Sequence, residues 1–181
     1  YRQLLETSER LAGVLASRFA PGERVVVWAP NIPEWLFLEY ACAFSGLILV
    51  TANPSFQEKE LRYVLEQSGA VALFLVDSFR GNAMADIAQR AIEGNGQIRE
   101  VVNLEDETVL FKQGSKLVDL PGVKPTDPAQ IQYTSGTTGL PKGAVLSHYN
   151  LVNNARLFAA RKKVHQQSVW ANFMPMFHTA G

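Results

Sequence analysis

The segments Arg24 to Ala29, Leu47 to Thr51 and Val71 to Val76 are apolar at nearly every position instead of at every second one. A strand of that composition has no face to give to water, so it predicts a sheet covered by helices on both sides, the usual setting of parallel strands. The stretches between carry a helical period. Leu4, Leu11, Leu15 and Phe19 form one stripe over Tyr1 to Phe19, which Pro21-Gly22 ends. Glu34 to Ser45 predicts a helix begun at Asn31 or Pro33, and Gln57 to Gln67 a helix with Gly69 near its C-cap. Met84 to Glu93 predicts another, closed by Gly94, before a fourth strand over Ile98 to Leu104. This alternation defines an α/β fold, a mostly parallel sheet with helices on both faces.

Downstream the pattern changes. Residues 1–104 read as a βαβ-type region and residues 105–128, with Gly114, Pro121, Gly122, Pro125 and Pro128, as an irregular surface excursion. Residues 129–181 read as a hairpin, a helix and a strand: Ala129 to Thr134 and Gly143 to Ser147 alternate like strands around a glycine-rich bend. Ser147 is placed to cap a helix over His148 to Lys162, with Asn150 at the partner position. His148 is then structural, and Arg161, Lys162 and Lys163 meet the negative end of the helix dipole. Val169 to Met174 predicts a buried strand leading into Pro175-Met176-Phe177.

The bend, Tyr133-Thr134-Ser135-Gly136-Thr137-Thr138-Gly139-Leu140-Pro141-Lys142-Gly143, carries the chemistry. Gly136, Gly139 and Gly143 permit positive φ and close backbone approach, so successive N–H groups can converge on an anion. Thr134, Ser135, Thr137 and Thr138 add O–H donors, and Lys142 adds a mobile positive charge. That donor set is a phosphate cradle. It is not a Walker A loop, because Pro141 precedes the lysine and Gly143 follows it, and no Gly-x-Gly-x-x-Gly occurs. A flexible linker would not be held between two strands.

Charge and composition exclude several classes. Lys plus Arg and Asp plus Glu both number 17, so no net field draws in nucleic acid or an anionic membrane. No apolar run reaches the length of a membrane span. Cys42, the single cysteine, excludes an internal disulfide and sits in an apolar run as a small hydrophobe. Hydrophobic residues make up 47% of the chain, enough for a sizeable core.

Tyr133 to Gly143 resembles the pyrophosphate-binding loop of the adenylate-forming superfamily, and the likeness continues through Ala144 to Asn150 and Pro175 to Gly181. Trp28 to Trp35 and Leu49 to Pro54 also look like segments of that superfamily, nearest its fatty and medium-chain acyl-CoA ligase branch. The resemblance implies the large N-terminal domain of an acyl-CoA synthetase-like fold. It also implies an ATP-dependent ligase that activates a carboxylic acid as acyl-adenylate and passes it to CoA, with Mg²⁺ as companion ion. By the same likeness Thr134, Ser135, Gly136, Thr137, Thr138, Gly139 and Lys142 hold the phosphates, Lys142 and His178 act in catalysis, and Phe177 with His178 line the acid's pocket. His178 stands where amino-acid-activating relatives usually carry an aspartate, so a plain carboxylic acid is expected. No metal ligand is assigned within these residues.

The adenine, ribose and magnesium motifs of the family lie downstream of Gly181, and the chain starts at Tyr1 inside a helix. It is therefore expected to be part of the N-terminal domain, inactive in thioester formation alone, and either prone to self-association through Trp170 to Phe177 or left with a mobile tail there. A cytoplasmic location is expected, with targeting signals outside the sequence. A phosphate-binding module without turnover, or an adenylating enzyme with another acceptor, is the alternative reading.

Overall fold

Strands β1 (Arg24–Trp28), β2 (Ile48–Thr51) and β3 (Ala72–Leu75) have almost no solvent exposure, as their two-sided apolar sequences require. In the computed structural model of the protein, residues 1–111, 119–134 and 141–178 are described. Helices α1 (Arg2–Ala16), α2 (Pro33–Ser45), α3 (Glu58–Ser68) and α4 (Met84–Ile92) alternate with these strands and with β4 (Glu100–Asn103). A short helix α5 (Glu107–Leu110) follows, then β5 (Pro128–Thr134), β6 (Lys142–Ser147) and α6 (His148–Arg161).

The strands form one six-stranded sheet in the order β4-β3-β1-β2-β5-β6. Neighbours are parallel except β5 and β6, which form an antiparallel hairpin with Thr134 opposite Lys142. From β1 the chain steps outward to β2, returns across β1 to β3, and continues to β4. Right-handed crossovers therefore put α2 on one face and α3 and α4 on the other. Packing agrees, since α1 lies against α2 and α3 against α4. One core joins the layers, with Leu11, Leu15, Trp35 and Leu38 from the first face and Leu61, Leu65, Met84 and Ile87 from the second.

Helix ends follow the local chemistry. Pro33 occupies the first turn of α2, and Gly46 ends it in the left-handed region at φ 70°. Gln57 and Glu60 form a capping box on α3, and Ser147 and Asn150 form one on α6. Asp106 caps α5 by accepting from the amides of Thr108 and Val109, which gives a helical turn inside a stretch read as irregular.

Arg24, at the start of β1, ties the layers together. Its Nε donates to Ser68 O at 2.9 Å and its Nη2 to Gly69 O at 2.7 Å, so the guanidinium satisfies the carbonyls at the C-terminal end of α3. At the sheet's outer edge Arg99 pairs with Glu23, and Arg18 with Glu100.

The strand expected over Val169 to Met174 does not form. Val169 is 94% exposed and Phe173 86%, and the segment is irregular. An apolar run becomes a strand only beside a partner edge, and this one instead meets a helix. Trp170 packs edge-on against Phe158 of α6 at 5.3 Å. Helix α1 also stops at Ala16, short of Phe19, although Phe19 is buried.

Gly69 gives a direct test of the Arg24 latch. Its φ is +62°, and an added Cβ would lie 2.7 Å from Arg24 Nη2. Gly69→Ala combines left-handed strain with displacement of the guanidinium, and should lower unfolding free energy by about 2 kcal/mol in urea denaturation of the 181-residue chain. A loss indistinguishable from that of Gly94→Ala, which carries the same left-handed strain at φ +79° but has nothing within 4 Å of the added Cβ, would show that the latch contributes nothing.

Candidate functional site

Crossovers leaving β1 and β3 run in opposite directions, so a crevice opens between these neighbouring strands at their carboxyl ends, the place where open α/β sheets bind ligands. Because β5 runs parallel to β2, Thr134 reaches the same edge, and Lys142 begins β6 directly opposite it. Both side chains are exposed. Ser135, Gly136, Thr137, Thr138 and Gly139 lie outside the described residues, so the structure fixes the two posts of the loop.

Those posts are firmly held. Along β5, Ile131 and Tyr133 face α3 while Gln130 and Gln132 face α2 and α6, as strand alternation dictates. Tyr63 of α3 donates its hydroxyl to Pro141 O at 3.1 Å, next to Lys142. Burial, with the Tyr63 phenol nearby, raises the Tyr133 phenol to about 12. Gly143 does not adopt a positive φ. Its role is close approach: an added Cβ would stand 2.9 Å from Ile131 Cγ2 and 3.2 Å from Tyr133 Cζ.

The tail reaches the same edge from the far end of the chain. Asn31, just past β1, donates from Nδ2 to Met174 O at 2.8 Å and accepts from the Met176 amide at its Oδ1 at 2.9 Å. A turn follows in which the His178 amide donates to Pro175 O at 3.0 Å. His178 is exposed and Phe177 partly buried. The sequence reading missed both Asn31 and Tyr63, because each acts on backbone atoms far away in sequence, which no local pattern reports.

Between α2 and α6, on the face carrying Gln130 and Gln132, runs a cleft of about 420 Å³ with His178 and Met176 at one end and His148 at the other. Its walls hold polar atoms without a protein partner among the described residues: Trp35 Nε1, Gln132 Oε1 and His148 Nε2. Glu39 also lines it; the residue is only partly buried overall, yet withdrawal of its carboxyl from water raises the pKa to about 7. Burial, with Glu39 nearby, pushes the Cys42 thiol upward as well, consistent with a hydrophobic role. Among the described residues no cluster of His, Cys, Asp and Glu could hold a metal, and no helix is long and apolar enough to cross a membrane.

This architecture is shared with solved CoA synthetases. The o-succinylbenzoate CoA synthetase (MenE) of Bacillus subtilis, in complex with its acyl-adenylate intermediate OSB-AMP, superposes with a TM-score of 0.79 over 97% of this chain and 43% of that one, at 24% identity. The same enzyme in complex with ATP and magnesium gives 0.78 over 97% and 44%, at 23% identity. The chain belongs to the AMP-binding enzyme family, whose sequence profile matches residues 1–181. It is 32% identical over its whole length to the mitochondrial medium-chain acyl-CoA ligase ACSF2 of Bos taurus, and equally to that of Homo sapiens. The chain spans 35% of the length of these relatives.

Glu39 predicts a pH dependence of stability. Its folded pKa lies above the ordinary 4.5, so the neutral form favours the folded state; the contribution of Glu39 to stability is greatest below about 4.5, declines as pH rises to about 7, and levels off above. Glu39→Gln should remove about 1–2 kcal/mol of that decline, allowing for partial solvent access. Urea midpoints of both proteins between pH 4 and 8 would expose the difference, and parallel curves would place the carboxyl in water.

Proposed function

We propose that this chain forms the phosphate-binding part of an AMP-forming acyl-CoA synthetase acting on a fatty or medium-chain carboxylic acid. One observation carries the reading: the posts of a hydroxyl- and glycine-rich loop, Thr134 and Lys142, stand at the carboxyl edge to which Asn31 also draws the Phe177–His178 turn. The names of the relatives support it, being acyl-CoA ligases.

In the first half-reaction a carboxylate oxygen of the acid attacks the α-phosphorus of ATP. The bond to the bridging oxygen breaks, and pyrophosphate leaves with the electron pair. Negative charge grows on the departing group, and preorganised donors aimed at it lower the barrier. Thr134, Ser135, Gly136, Thr137, Thr138 and Gly139 supply N–H and O–H donors, and Lys142 supplies a cation. Mg²⁺ accompanies the phosphates and offsets part of their charge. Phe177 lines the acid's site, and His178 orients the carboxylate toward phosphorus. In the second half-reaction the CoA thiol sulfur attacks the acyl carbonyl, the bond from that carbon to the phosphate oxygen breaks, AMP departs with the electron pair and the thiol proton passes to solvent. ATP, the acid and CoA are thus the small-molecule partners, and the cytoplasm is the proposed site of action, although the Bos taurus relative is named a mitochondrial protein.

ATP–pyrophosphate exchange by the full-length enzyme, run against carboxylic acids of graded chain length, tests this function. Acid-dependent exchange is expected, and Thr137→Ala or Thr138→Ala should slow it by roughly 10²-fold, the cost of one preorganised donor. Nucleotide binding without exchange would instead mark a module without turnover; exchange without thioester formation would mark an enzyme with another acceptor.

Self-association of the 181-residue chain is part of the same proposal. Leu157 and Phe158 at the end of α6 and Val169, Trp170 and Phe173 beyond it are exposed, and Phe158 and Trp170 touch. Light scattering on the eluting chain should report a mass above 20.0 kDa that falls toward it in Leu157→Lys. A monomer at every concentration would reject the idea.

A further inference from the structure

We propose that Asn31 is a positioning residue for the acid-binding turn, clamping Met174 to Met176 so that Phe177 and His178 are presented at the carboxyl edge of the sheet. The inference rests on the function proposed above. Asn31 engages one backbone stretch with both ends of its amide, donating to Met174 O at 2.8 Å and accepting from the Met176 N–H at 2.9 Å. This arrangement copies the donor–acceptor pairing of a strand edge with a single side chain, and it does so for a segment that has no strand partner.

The mount is stiff. Pro30 precedes Asn31, Ile32 is extended at φ −130°, and Pro33 opens α2, so the backbone around the amide has few alternatives. Trp28, three residues earlier, is completely buried, and its Nε1 donates to Asn53 O at 2.8 Å. The clamp is therefore anchored to a strand buried from Val25 to Trp28. On the other side of the bond, only Phe177 separates the clamped Met176 from His178, and the turn is closed by the His178 amide on Pro175 O at 3.0 Å. A displacement at Met176 passes directly to Phe177 and His178. Met174 and Phe173 are exposed while Met176 is partly buried against the core, so the two hydrogen bonds at Asn31 act together with the packing of Met176 to locate this segment.

The amide needs both of its functions. Asn31→Ala removes both bonds. Asn31→Asp keeps an acceptor for the Met176 N–H but sets a carboxylate oxygen against Met174 O; protonation at low pH restores an O–H donor there.

The test uses the full-length enzyme. In Asn31→Ala the KM for the carboxylic acid in ATP–pyrophosphate exchange should rise about ten-fold, the scale expected for a reacting group displaced by less than an ångström, while the KM for ATP stays unchanged. In a His178→Ala background the same substitution should have almost no further effect on the KM for the acid, since the two act as one unit. Activity of Asn31→Asp relative to the native enzyme should recover as pH falls. Amide hydrogen exchange of the 172–178 segment should quicken in Asn31→Ala, with Met176 most affected. Unaltered exchange at Met176, an unchanged KM for the acid, or a loss that appears only as a smaller folded fraction would overturn the proposal. If the native enzyme shows no acid-dependent exchange, the functional reading itself fails, and the amide measurement alone then decides whether the clamp exists.

Discussion

Covering β1 on both faces is the constraint from which the rest of the structure follows. Val25, Val26, Val27 and Trp28 are completely buried, so a helical layer must lie on each side of them. One continuous chain can meet that demand only by stepping outward on one face and returning on the other, and this reversal opens the crevice beside β1. Burial of an apolar strand and creation of a ligand edge are thus the same event. The latch from Arg24 to the end of α3 fastens one end of β1, and the Trp28 indole on Asn53 fastens the other.

Much of this was legible in the sequence, for reasons that differ by element. The central strands could be read because two-sided burial leaves no polar position. The helix ends could be read because Pro33, Gly46, Gly69 and the Ser147–Asn150 pair each solve a backbone problem within a few residues. Val169 to Met174 was misread because an apolar composition states a preference for burial but not the presence of a partner. Gly143 was read as allowing positive φ and close approach, and it uses only the second, its missing side chain leaving room for Ile131 and the ring of Tyr133. The hydroxyls and glycines between Thr134 and Lys142 are the sequence feature on which the proposed phosphate cradle rests. What brings the tail to the same edge is a side-chain amide bonded to backbone atoms on residues distant in sequence, and such partners leave no mark on local pattern.

Donors of the proposed site therefore come from supports of unequal stiffness. Thr134 and Lys142 belong to a hydrogen-bonded ladder, reinforced by Tyr63 beneath Pro141. Phe177 and His178 are carried on a turn located by two hydrogen bonds at Asn31, the packing of Met176 on the core and a closing bond to Pro175 O. Both supports place their groups before substrate arrives, the ladder more rigidly than the clamped turn.

Sheet order also shapes how the molecule is made. β5 takes its place beside β2, with Gln130 opposite Leu49, only after β3 and β4 have been added on the far side of β1. During synthesis at about 5–20 residues per second, the outer edge of β2 stands open for on the order of ten seconds before its neighbour leaves the ribosome. Ile48, Leu49 and Val50 on that edge are strongly strand-forming, so the nascent chain carries a template for pairing with another nascent copy. Ribosome spacing on the message, and chaperones that cover an unpaired edge, then bear on the yield of folded protein as directly as any contact in the finished structure.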